Sequence, residues 1–179
     1  MTAEGEALLD AWRVNDRVTA FLLEHVPAEL WSASLRGSPR RTVRNIFAHL
    51  NNSRCSWLKG LGAGAGVAVP ARVAPHSATS AAVAKALSRS GARILEMLEA
   101  GLRNGGEFPQ VSGRFVWGAW PRNVVLFAAY AVSHEAHHRG QVLLMARELG
   151  QRLPLEVAAG LWQWSSRLRE SRPKGAAGA

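Results

Sequence analysis

The stretch PRNVVLFAAYAVSHEAHHRGQVLLMARELG, residues 121–150, decides how this chain is read. At helical spacing, Phe127, Ala131, His134, His138, Val142, Met145 and Leu149 fall on one face. The stripe is apolar except at its middle, where two imidazoles four residues apart leave the same face one turn apart. A buried imidazole without a partner costs on the order of a kcal/mol or more. A metal ion shared by the two would satisfy both, because neutral imidazole is the commonest protein metal ligand. Pro121 suits the first turn of this helix and Gly150 stops it.

Outward from this stretch the pattern stays helical. Residues 4–26 carry Leu8, Ala11, Trp12, Asn15, Val18, Leu22 and Val26 at helical spacing, and Pro27 ends the run. Thr42 is an N-cap candidate for a second helix with Val43, Ile46, Phe47, Leu50, Trp57, Leu58 and Leu61 as its apolar face. A Gly/Ala/Val/Pro connection follows over 63–76. Ser77, Thr79 or Ser80 could cap a third helix that runs to about Leu102. Residues 104–120 have no clear period, with a short strand or turn read around Arg114–Trp117 and with Trp117 and Trp120 as candidates for a pocket mouth. The seven tryptophans are otherwise read mostly as core. A shorter fifth helix is read over Leu155–Arg169. Four long amphipathic helices without convincing strands predict an all-α four-helix bundle with a short additional C-terminal helix. The expected organisation is one domain over 1–169 and a flexible tail over 170–179.

At 179 residues and 47% apolar, the chain can build a real core. No apolar run reaches the roughly 18 residues of a membrane span, and the N-terminus lacks a signal-peptide pattern. With Cys55 as the only cysteine, the reading points to a reducing, cytoplasmic location. The net charge of +9 comes mainly from scattered arginines, densest at Arg36, Arg40, Arg41 and Arg44. No zinc-finger, basic-heptad or RNA-binding signature accompanies them, so a solvated basic surface is read rather than a nucleic-acid footprint.

Metal sites generally need a third protein ligand. His76 lies in a loop, His25 near the end of the first helix, and His137 faces about 100° off the stripe. His49, mid-helix beside Ile46 and Leu50, is the best candidate, because the middles of the second and fourth helices can face each other in a bundle. Asn45, Ser53, Tyr130 and Gln141 stand at helical spacing from these histidines as candidate orienting groups. Arg139 could hold an anionic thiol or substrate, but an ion pair with Glu135 is the simpler role. Cys55 is read as a small buried hydrophobe rather than a nucleophile.

At this point the residues resemble a family. The run His134-Glu135-Ala136-His137-His138-Arg139-Gly140-Gln141 resembles the hallmark of DinB-like proteins, also grouped with YfiT-type metal-dependent hydrolases. The upstream Thr42-Val43-Arg44-Asn45-Ile46-Phe47-Ala48-His49-Leu50 resembles the family's other landmark. The resemblance implies a bundle with a long crossover connection and a three-histidine site of His49, His134 and His138. It implies a divalent metal (nickel or zinc), a low-molecular-weight thiol as a further cofactor, a small-molecule substrate and a homodimer. It brings no expectation of nucleic-acid or membrane binding. Thiol S-transferase or hydrolase chemistry follows by resemblance. The alternative is a non-enzymatic, stress-related binding protein on the same bundle with a degenerate or unoccupied site.

The same letters satisfy H-E-x-x-H, in which the Glu is the general base of a zinc protease. No histidine follows His138, so Glu148, Glu156 or Glu170 would have to complete that site, and no sheet is in view to align a peptide. For a three-histidine site, the open positions could activate water or hold a thiolate.

Overall fold

The computed structural model describes residues 1–39, 41–109, 111 and 121–172. Four long helices make the bundle: α1 (Ala3–Glu24), α2 (Val43–Trp57), α3 (Ser80–Arg103) and α4 (Val124–Glu148). Two short ones follow, α5 (Leu155–Gly160) and α6 (Trp164–Ser171). Among the described residues there is no strand, only isolated bridges between Ser34 and Thr42 and between Glu107 and Asn123. No described helix is long and apolar enough to cross a membrane.

The starts and stops follow local chemistry. Thr2, Thr42 and Thr79 each accept a backbone N–H from the first turn of α1, α2 and α3. The start of α4 differs from the sequence reading. Asn123 caps it, and the backbone of Arg122 accepts from Phe108 N–H, so Pro121 lies outside the helix, ahead of the bridge between Glu107 and Asn123. At the other end, Gly150 takes φ +72° while its N–H and that of Gln151 donate to Arg147 and Ala146, a double cap of the last turn. The reading of Arg114–Trp117 as strand or turn, and of Trp117 and Trp120 as a pocket mouth, lies outside the described residues.

Side-chain pairs set the directions. Asn15 and Thr19 of α1 meet Glu135 and Arg139 of α4 in the same order, so these helices run parallel. Trp57 meets Phe127 while His49 meets His138, so α2 runs against α4. Arg13 lies near Glu99 while Asp16, further along α1, packs against Gly91, so α3 runs against α1. The topology is therefore up, down, down, up. Because α2 and α3 run the same way, the chain must return between them, and residues 66–79 do this alongside α2. Asn52 pins the return strand of chain: its Nδ2 donates to Val73 O (3.0 Å) and its Oδ1 accepts Val73 N–H (2.9 Å).

Burial divides the core in two. One cluster centres on Leu22, Phe47, Leu50, Val83 and Val142. The other centres on Leu9, Trp12, Trp57, Ile94, Phe108 and Phe127. Each fully buried large side chain contributes about 1.5–3 kcal/mol. Between the clusters lies a polar layer of Asn15, Thr19, Asn51, Arg54, Ser90 and Glu135, all buried. In α1 the core position is Leu9 rather than Leu8, which is only half-buried.

The single helix read over Leu155–Arg169 is two helices. The chain breaks after Gly160, where a Cβ would lie 2.6 Å from Phe21 Cζ. Restarting at Trp164 changes the helical phase. Leu161 and Arg167 turn inward, with the Arg167 guanidinium 4.0 Å above the Phe21 ring. Trp162 and Trp164 turn outward, 81% and 49% exposed, so the reading of the tryptophans as core holds for Trp12 and Trp57 but not for these two. Glu170 pairs with Arg17 and Arg167, so α6 is fastened to α1 beyond residue 169.

Candidate metal centre

The cap at Thr42 fixes the phase of α2. With Ile46, Phe47 and Leu50 turned into the core, His49 is left on the flank that faces α4. On α4 the core contacts of Ala131 and Val142 leave His134 and His138 facing back at it, half-buried. His49 Nε2 and His134 Nε2 approach to 3.3 Å. The His138 ring centroid is 4.6 Å from each of the other two. One ligand atom from each of the three histidines lies within 4.8 Å of the others, so the cluster could hold a metal ion.

The environment keeps these rings neutral. Burial, reinforced by His138 and His49, pushes His134 down to about 4. Burial lowers His49 too, and the Arg72 charge adds to it. Burial also lowers His138, although its bond to Gln141 acts the other way. Neutral imidazole is the form that ligates. The tautomer of His138 is set by its neighbour. Gln141 Nε2 lies 2.9 Å from His137 Nε2 and donates to it, which turns Gln141 Oε1 towards His138. There it accepts from His138 Nδ1 at 2.9 Å, leaving the His138 Nε2 lone pair free. Ser53 Oγ lies 3.3 Å from His49 Nε2. His134 stands edge-on to Trp57 at 5.3 Å and near Tyr130 at 5.9 Å, and its Nδ1 is buried without a hydrogen-bond partner. Two ring nitrogens at 3.3 Å can share one proton at most, so the donor set fits a divalent cation better than it satisfies itself.

The remaining histidines stand apart. His25 Nδ1 donates to Phe21 O, His76 is exposed in the crossover, and His137 is an exposed partner of Gln141. Cys55 is 2% exposed and burial pushes its thiol up, as befits a core residue.

Glu135, between the two α4 histidines, turns the other way. Arg54 of α2 grips it with Nε to Oε1 at 2.6 Å and Nη2 to Oε2 at 2.8 Å, both side chains having no exposed surface. Asn15 Nδ2 and Thr19 Oγ1 donate to its Oε2 as well. Burial opposes the charge, but the Arg54 charge and hydrogen bonds outweigh it and hold the carboxyl below the usual range. Arg54 also donates to Asp16 and to the Leu87 carbonyl. The Arg139 guanidinium is 3.8 Å from Glu135 but donates to Asn15 Oδ1 and Thr19 Oγ1. A carboxylate so enclosed cannot serve as the general base of a zinc protease. Its main partner is Arg54, not the Arg139 expected from local spacing. Arg54 does show a signal in the sequence: it falls four residues after Leu50 and three before Trp57, on an otherwise apolar stripe. The pair also ties α2 to α4, the two helices that supply the histidines.

The histidines open on a pocket of about 740 Å³, lined by His49 and His138 with Arg41, Asn45, Ile46 and Gln141. An all-helical bundle that gathers three neutral imidazoles from two facing helices at an open pocket defines a class of four-helix proteins with a candidate metal centre. The chain belongs to the DinB family, whose sequence model matches residues 1–165. No curated protein and no solved structure matches it.

Proposed function

We propose that this chain is a metal-dependent enzyme of the DinB family, of the thiol S-transferase or hydrolase type, in which His49, His134 and His138 hold nickel or zinc. The observation that carries the reading is the convergence of three neutral imidazoles from two helices within 4.8 Å. When bound, the divalent ion would supply Lewis acidity and favour the thiolate form of a low-molecular-weight thiol. The chain's own residues prepare for this. Gln141 orients His138, Trp57 excludes water behind His134, and the Arg54–Glu135 pair holds the two ligand-bearing helices in register. The open pocket admits a small-molecule substrate to the histidine face.

Metal analysis of the purified protein tests the reading. About one equivalent of nickel or zinc, lost in His49→Ala and His138→Ala, supports it. A folded wild-type protein that binds neither metal overturns it in favour of a non-enzymatic bundle.

The same reading includes a homodimer across the outer face of α4. Val125, Leu126 and Leu144 are 55%, 64% and 55% exposed, and no exposed residue of α4 between 125 and 144 is charged. A helix apolar on its outer side as well as its inner side suits burial against a second copy, and the +9 charge of the chain is not concentrated there. Sedimentation of wild type against Leu144→Glu separates dimer from monomer.

A further inference from the structure

The pocket beside the histidines has a charge pattern that metal binding alone does not use. Among the described residues, no carboxylate lines it. Arg41 stands in its wall, exposed and without an acidic partner among the described residues. Arg72, brought in by the crossover that Asn52 pins, reaches Ser56 Oγ at 3.4 Å and has no acidic partner among the described residues, and its charge is felt by His49. The one carboxylate between the α4 histidines, Glu135, is enclosed by Arg54. The open side of the cluster is thus faced by positive charge, to which a divalent ion would add two more. Such a cavity favours an anion, and a guanidinium fork matches a carboxylate in shape. A volume of about 740 Å³ is that of a small-molecule site, not of an inorganic ion, and Ile46 gives it an apolar wall.

We infer that the molecule bound in this pocket carries a carboxylate, held by Arg41, while another atom of the same molecule faces the open side of the histidine cluster. The inference rests on the proposed metal site and names the class of ligand that site takes.

Cobalt(II)-loaded protein gives the test, because its visible bands report metal binding before any ligand is added. Mercaptoalkyl carboxylates with two to five methylenes are then titrated against their amides, following the thiolate-to-cobalt absorption. A carboxylate makes the neighbouring thiol less acidic, so thiol ionisation works against the expected preference. The best carboxylate binds about tenfold tighter than its amide. Arg41→Ala brings that ratio close to one, and Arg41→Glu inverts it. A ratio near one throughout the wild-type series, or one that survives Arg41→Ala, overturns the inference and leaves the metal site standing. Absence of cobalt bands in wild type overturns the metal site itself, and the inference with it.

Discussion

His134 and Glu135 are neighbours in sequence and opposites in structure. Glu135 sits in a closed set: every partner is protein, both carboxylate oxygens are taken, and nothing is exposed. His134 sits in an open set: a ring pushed towards neutrality, one nitrogen crowded against His49, the other buried without a partner, and a pocket lined by the other two histidines, His49 and His138. Both are polar interruptions of the same apolar helix. Saturation separates them. A saturated buried group holds helices together, whereas an unsaturated one waits for something the chain does not contain.

The contrast can be broken by experiment. The largest effect is expected for Glu135→Ala, which removes the fully buried carboxylate that neutralises Arg54, leaves Arg54 Nε and Nη2 without their acceptor, and costs about 3–5 kcal/mol in denaturant unfolding. A loss well under 1 kcal/mol would show that the set is not closed. Next comes the pH dependence of the same pair. The folded-state pKa of Glu135 lies below its ordinary value, so its contribution is complete above the unfolded value of about 4.3 and is lost as pH falls through the folded one. The gap in thermal midpoint between wild type and Glu135→Gln therefore closes as pH drops from about 5 towards about 3. Gln141→Ala should leave the fold intact and weaken metal binding about 10–100-fold, measured by competition with a chromophoric chelator, because His138 loses the partner that fixes its tautomer. The smallest effect has the opposite sign. In metal-free protein, His134→Leu removes an unpartnered buried nitrogen and raises stability by about 1 kcal/mol, while abolishing metal binding.

The open set was legible in the sequence and the closed one was not. The i, i+4 histidines announce themselves by local spacing, and the match around Thr42–Leu50 points to His49. The same spacing paired Glu135 with Arg139, four residues on, although the stronger partner is Arg54, 81 residues away. Periodicity reports which face a residue occupies but not which residue meets it across the core. The long helices were legible because caps and stripes agree, as Thr42 and Gly150 show. The break at Leu161–Gln163 was not, because it depends on Gly160 fitting against Phe21 of α1. Arg41 was read as one of a scattered basic group, since only the folded chain places it beside His49.

The two-point grip of Asn52 on Val73 separates length from register in the crossover. Upstream of the grip, residues 68–70, beyond the Val67 N–H bond to Gly62, can gain or lose a few units with little effect on what lies below. A one-residue slip at the grip itself would carry Arg72 out of step with His49. Libraries that vary the length of 68–70 should therefore yield bundles with intact pockets, while those that shift the frame at 71–73 should alter the electrostatics of the cleft without unfolding the helices.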